Sequence, residues 1–281
     1  MISHNNIRII PKLEIKNLNL VKGVQFEGLR VLGNPKYLIN KYFNDGADEI
    51  IYHDIIASLY KKNMLENIVS DTAKKFFIPL SVGGGVQTLK QIENLLKNGA
   101  DRIFFNSINF FNKNFLYDAY KEFGSSTIIL SIEVMKLENK FLCFYNYGRD
   151  VSSCSLEHQL KFANDNGAGE VLITSIMDDG IGNGFNEKIA EIVQLNSKIP
   201  FILSGGFSKL EHFKKIFDVC SPSGIAISSA FHYSNLSQKH EVTSDGNLEF
   251  LKKEKKFLSF NNLTIQDIKK FLIKCGKNAN I

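Results

Sequence analysis

Glu14 and Glu133 are the two residues of this 281-residue chain best placed to move protons. Each is a single acid near the end of an apolar run, IRIIPKLEI and TIILSIEVM, and they stand 119 positions apart (133 − 14). A carboxylate inside a buried strand needs a partner or a task, because desolvating its charge is costly. Two of them brought together at one mouth could serve as general acid and general base. The alternative is a pair of strand-end acids satisfied by lysine or backbone donors.

Glycine-rich turns accompany the acids. VGGG, Val82 to Gly85, and SGG, Ser204 to Gly206, each follow an apolar run and precede a helical pattern. Gly84, Gly85, Gly205 and Gly206 let an anion approach backbone N–H groups at a helix N-terminus. FFNS and ISSA end the next apolar run in each case, so Asn106, Ser107, Ser228 and Ser229 add further donors. A pattern used twice predicts two phosphate cradles. They suit a long substrate with a phosphate at each end and Glu14 and Glu133 near its middle. His53 and Asp54 close a further apolar run, and Asp54 is a weaker candidate for a direct role.

The elements that must position these residues are short and regular. IRIIPKLEI, DEIIYHDI, IPLSVGG, DRIFFNS, STIILSIEV, GEVLITSI, IPFILSGG and GIAISSA read as eight strands. Their near-continuous apolar character predicts parallel strands buried on both faces. Amphipathic stretches such as TLKQIENLLKNG and SLEHQLKFANDNG lie between them, several ending in Gly as helices do. Eight such units predict an α/β fold, a single (β/α)8 barrel over residues 1–281.

The chain also repeats itself. Gly46 and Gly167 are 121 apart, Gly84 and Gly205 are 121 apart, and Ser107 and Ser229 are 122 apart. The near-constant offset predicts two similar half-barrels, about 1–122 and 123–281, with the same local chemistry built twice.

Composition bounds the rest. Hydrophobic residues make up 44% of the chain, enough for a sizeable core. A net charge of +5 suits anionic small molecules but is too diffuse for nucleic acid. Cys143, Cys154, Cys220 and Cys275 form no CxxC pair, so reduced thiols in a cytoplasmic protein are expected, with neither metal nor organic cofactor. The N-terminus lacks a signal-peptide pattern, and no apolar run reaches the roughly 20 residues that span a bilayer.

The strings LVKGVQFEGLR, DEIIYHDIIAS, PLSVGGGV, GADRIFFNS, GAGEVLITSIMDDG, LSGGFSKLEHF and SSAFHY together resemble the HisF family, the cyclase subunit of imidazole glycerol phosphate synthase. The resemblance runs from Arg8 to about Tyr233 and resumes at LTIQDIKKFLIKCG. It implies a duplicated barrel that joins ammonia to a bisphosphate aminoimidazole carboxamide intermediate. The products would be imidazole glycerol phosphate and an aminoimidazole carboxamide ribotide. It also implies a HisH-like glutaminase partner in a heterodimer, with ammonia passing through the barrel. By resemblance, Gly85, Asn106 and Ser107 would hold one phosphate. Asp179, Gly180, Gly206, Ser228 and Ser229 would hold the other, and Lys22, on the loop after strand 1, would help close the site. Arg8, Glu49, Arg102 and Glu170 match the family's charged ammonia gate, with Arg102 in place of a lysine. Asp101 matches a residue facing the glutaminase.

The chain also departs from the pattern. The family's catalytic acids are aspartates, and both fall on glutamates here, each longer by one methylene, about 1.5 Å. Misplacement by about 1 Å can cost roughly 100-fold in rate. The usual Asp-Gly after strand 1 is Asn17-Leu18, and the segment from Ser234 to about Asn261 is longer than the family norm. Three functions remain open: a cyclase of histidine biosynthesis, a paralogue passing ammonia to a separate amidotransferase in surface-sugar amidination, and a non-catalytic scaffold that activates the glutaminase.

Overall fold

A computed structural model describes residues 6–56, 65–235, 260 and 262–280. Twelve strands run in chain order: β1 (Arg8–Lys16), β2 (Asn19–Val24), β3 (Glu27–Gly33), β4 (Ile50–Asp54), β5 (Leu80–Gly83), β6 (Arg102–Phe105), β7 (Ile128–Leu137), β8 (Lys140–Tyr145), β9 (Asp150–Ser155), β10 (Glu170–Ser175), β11 (Phe201–Ser204) and β12 (Gly224–Ile227). Eight of them pair in parallel in the order β10, β11, β12, β1, β4, β5, β6, β7, and β7 pairs β10 to close the ring. This is the expected (β/α)8 barrel, and its eight staves are the eight runs read from the sequence.

Helices cover the outside, set by ordinary end signals. Asn34 caps Pro35–Asn44 by accepting from the Lys36 N–H, with Pro35 supplying the pre-set first turn. Thr88 and Gln91 form a capping box at the start of Leu89–Lys97, which buries Ile92 and Leu95 against the strands. Thr264 and Asp267 do the same for Ile265–Lys274. Among the described residues no helix is long and apolar enough to cross a membrane. All four cysteines are free.

Inside the barrel the side chains form layers. A middle ring of Ile10, Ile51, Phe104, Ile129, Leu172, Ile202 and Ala226 comes from seven of the eight staves. Burying each large member stabilises the fold by roughly 2 kcal/mol. One layer toward the strand starts is charged, and one layer toward the strand ends is polar. Side chains alternate in and out along a strand, so Arg8, Ile10, Lys12 and Glu14 all face the barrel axis.

Two antiparallel hairpins, β2–β3 and β8–β9, were not anticipated. β2 pairs with β1, setting Glu14 opposite Val21, and β8 pairs with β7, setting Glu133 opposite Phe144. Lys22, expected on a loop, therefore lies in a strand. The hairpins repeat the chain's internal offset. Gln25 and Phe26 form the first turn and Asn146 and Tyr147 the second, all four with positive φ, 121 positions apart (146 − 25, 147 − 26). The aromatic tips meet, with Phe26 and Tyr147 stacked at 4.3 Å between ring centroids and 12° between planes. Of the long segment after Ser234, residues 236–259 and 261 lie outside the described residues.

Candidate active site

The two acids reach the same end of the barrel but sit in different surroundings. Glu14 is fully buried, and both of its oxygens accept from Lys22 Nζ, at 2.9 and 2.8 Å. Lys22 also donates to Asp179 at 2.6 Å, so three buried charges share one cluster. Burial works against the Lys22 ammonium, but Asp179 and Glu14 outweigh it and hold its pKa above the ordinary value. Asp179 is raised by burial, against the pull of Lys22.

Glu133 has no such cation clasp. Its Oε2 accepts the Gly148 N–H at 2.9 Å. Burial raises its pKa from 4.5 to about 7; that N–H and Lys12 oppose the rise, while Glu14 and Asp179 add to it. A carboxyl poised there can both take up and release a proton near neutral pH.

Glu133 lines a cavity of about 420 Å³ with Gly84, Gly85, Asn106 and Ser107. Asp54 and Ser131 line it too. Gly84 has φ +101°, and a Cβ there would fall 1.9 Å from the Asp54 carbonyl oxygen, so only glycine permits this turn. The Asn106 and Ser107 side chains hold the second hairpin. Asn106 Nδ2 donates to the Phe144 carbonyl at 2.9 Å, and Ser107 Oγ accepts the Asn146 N–H at 2.9 Å. Asp54 Oδ1 accepts the Ile56 N–H at 3.0 Å, which fixes its own turn.

The other glycine-rich turn lines a tighter cleft of about 20 Å³. Gly205, Gly206, Ser228, Ser229, Asp179 and Gly180 surround it. Gly206 has φ +80°, and a Cβ there would meet the Gly184 carbonyl oxygen at 2.0 Å. The Ser228 and Ser229 hydroxyls are buried with no hydrogen-bond partner, as donors awaiting an anion would be. Phe260 lies over this cleft and stacks on Tyr233 at 5.8 Å. Lys22 lines neither cavity but lies between Glu14 and Asp179.

At the opposite end, Arg8, Glu49, Arg102 and Glu170 close a ring of alternating charge. Arg8 bonds Glu49 at 2.6 Å and also bonds Glu170; Arg102 bonds Glu49 at 2.5 and 2.6 Å and also bonds Glu170. Ser81 donates to Glu49 and Ser223 to Glu170, completing their acceptors. Burial disfavours the Arg102 guanidinium, yet Glu49 and Glu170 hold its pKa above the ordinary value. Asp101, exposed beside the ring, accepts the Leu80 N–H at 2.8 Å.

Two polar groups in this site, Lys12 and Tyr147, carried no motif, and His53 was marked in the sequence only as closing an apolar run. Lys12 is buried with Nζ 3.8 Å from Glu14 and 6.0 Å from the Phe26 ring centre. His53 and Tyr147 line the larger cavity. The signal for Lys12 was present, since it alternates with Ile10 and Glu14 on one strand face. Tyr147 needed the hairpin, which was not expected. Among the described residues no group of three or more His, Cys, Asp or Glu side chains could hold a metal ion.

A family model described as "Histidine biosynthesis protein" matches residues 8–237. The imidazole glycerol phosphate synthase subunit HisF of Campylobacter concisus is 38% identical over 237 residues, covering 84% of this chain and 94% of that protein. The chain belongs to the HisF family. Its HisF relative from Legionella pneumophila is 40% identical over 210 residues, covering 74% of this chain and 99% of that protein. The HisF of Natranaerobius thermophilus is 38% identical over 232 residues, covering 83% and 92%. Within the HisF family frame, the matched region contains both acids, both glycine-rich turns and the whole charge ring.

Proposed function

We propose that this chain is the cyclase subunit of an imidazole glycerol phosphate synthase, acting on a bisphosphate aminoimidazole carboxamide substrate in histidine biosynthesis. The observation that carries the reading is Glu133: a buried carboxyl, near neutrality in pKa, on the wall of a cavity that also holds a glycine-rich turn. In this account the two phosphates sit on the Gly84–Gly85 and Gly205–Gly206 turns. The reacting centre then lies between Glu133 and Glu14, where ammonia addition, ring closure and cleavage each need proton uptake or release. Lys22 holds Glu14 in place through both of its oxygens.

Ammonia enters at the Arg8–Glu49–Arg102–Glu170 end from a HisH-like glutaminase in a heterodimer. Support for a docking face there comes from Phe77, 97% exposed just before β5, and Leu195, 83% exposed at the end of the helix that precedes β11. Asp101 lies on the same end. The apolar middle ring would carry neutral ammonia rather than ammonium, since an ion crosses such a layer only at high cost.

The Lys22–Glu14–Asp179 cluster favours a second reading. Glu14, clasped through both oxygens and lining neither cavity, is poorly placed to reach a substrate, so the cyclase step would be slow, and the chain would pass ammonia to a separate amidotransferase in surface-sugar amidination. A non-catalytic scaffold that only activates the glutaminase would show neither behaviour. Incubating the isolated chain with ammonium and the bisphosphate separates these. Formation of imidazole glycerol phosphate supports the cyclase, and its absence alongside glutaminase activation supports the others.

A further inference from the structure

Among the described residues, the buried side-chain atoms without a hydrogen-bond partner are His53 Nδ1, Asn109 Oδ1 and the hydroxyls of Tyr147, Ser228 and Ser229. The serines belong to the tighter cleft. His53 and Tyr147 share the larger cavity, with their rings 5.7 Å apart and nearly perpendicular at 69°. Leaving a buried donor or acceptor unpaired is costly. Two such groups on one cavity wall mark a place where a ligand completes the bonding.

The backbone is strained to put Tyr147 there. Asn146, Tyr147 and Gly148 take φ of +53°, +58° and +70° in succession. For the two residues with side chains this is a costly conformation, of the kind that clusters at functional sites. Each end of the turn is pinned: the Asn146 N–H donates to Ser107, beside one glycine-rich turn, and the Gly148 N–H donates to Glu133. The Tyr147 ring is locked on Phe26. Its hydroxyl lies close enough to Glu14 to be drawn toward that carboxylate, which also accepts from Lys22, yet it makes no hydrogen bond of regular geometry.

We infer that Tyr147 and His53 form a recognition patch for an oxygen of a phosphorylated polyol, a hydroxyl or carbonyl next to the phosphate bound at Gly84 and Gly85. Burial, with the charges of Glu14, Asp179 and Glu133, pushes the Tyr147 phenol well above its ordinary pKa, so it stays a donor. Burial, with Lys12 and Lys22, pushes His53 well below its ordinary pKa, so it is a neutral imidazole. A cavity of about 420 Å³ holds a phosphate with a short carbon chain attached. The inference rests on the first phosphate cradle and not on the cyclase reaction.

Glycerol 3-phosphate and inorganic phosphate are the probes, titrated into the full chain and followed by phosphorus NMR. The wild type is expected to bind glycerol 3-phosphate more tightly than inorganic phosphate. Tyr147→Phe keeps the ring stack and removes the hydroxyl, and should lose about tenfold in glycerol 3-phosphate affinity with inorganic phosphate unchanged. His53→Leu should do the same, and it decides the matter if Tyr147→Phe fails to fold. Equal affinity of the wild type for the two probes, or a preference that survives both substitutions, overturns the patch. Loss of bisphosphate turnover with the glycerol 3-phosphate preference intact removes the cyclase reading and leaves this one standing.

Discussion

Lys22 grips Glu14 through both carboxylate oxygens, at 2.9 and 2.8 Å, whereas Glu133, its counterpart in the other half of the chain, accepts a backbone N–H. The two acids of the repeat have thus been given opposite electrostatic surroundings. Two carboxyls in such different surroundings are suited to different roles. Glu133 is the one free to exchange its proton.

That assignment has a thermodynamic signature. Glu133 titrates at about 7 in the folded chain against 4.5 ordinarily. The folded state therefore keeps a proton that the unfolded chain releases, so this group's stabilisation is complete below about pH 4.5 and is lost as pH rises through about 7. Glu133→Gln, neutral throughout, should be more stable than the wild type at about pH 8 by on the order of 3 kcal/mol, and the gap should narrow toward about pH 5. Denaturant unfolding at both pH values checks it; a pH-independent gap refutes it.

Removing the cation of the buried cluster strands two acids. Lys22→Met should destabilise the fold by about 3–5 kcal/mol, the usual consequence of breaking a buried ion pair from one side. Lys22→Met combined with Glu14→Gln should recover part of that loss. Thermal unfolding of the two variants tests this, and a Tm near the wild-type value for the single variant would show the cluster to be solvated.

Lys12 lowers the Glu133 pKa from within the barrel. Lys12→Met should therefore move Glu133 above about 7 and shift the Glu133-dependent limb of the turnover profile toward alkaline pH. An unmoved limb would show that Glu133 does not set the profile.

Much of the fold was legible because parallel staves buried on both faces leave continuous apolar runs, as STIILSIEV and IPFILSGG show. The hairpins were not. KFLCFYNYGRDVSS mixes polar and apolar residues without clean alternation, because β9 is largely exposed and β8 covers only part of β7. The glycines and serines that line the two clefts announced themselves through the repeat. His53 showed only as a polar end to an apolar run and Tyr147 not at all, since burial and the lack of partners are set by three-dimensional placement.

On the proposed function, the charge ring should separate two supplies of ammonia. Arg102→Ala breaks two of its four contacts and leaves Glu49 and Glu170 each with one arginine. Glutamine-dependent turnover with the glutaminase should fall several-fold more than turnover with added ammonium, because only the former must cross the ring. Arg102→Lys, which keeps the charge, should fall less. Equal losses from both ammonia sources would assign the ring to stability alone.

The most direct test of the cyclase account is turnover of the bisphosphate by the isolated chain with ammonium, wild type against Glu133→Gln. The account predicts imidazole glycerol phosphate from the wild type and a drop of about 100-fold or more in the variant. Wild-type protein that binds the bisphosphate yet forms no product, or a Glu133→Gln variant as fast as the wild type, would contradict it.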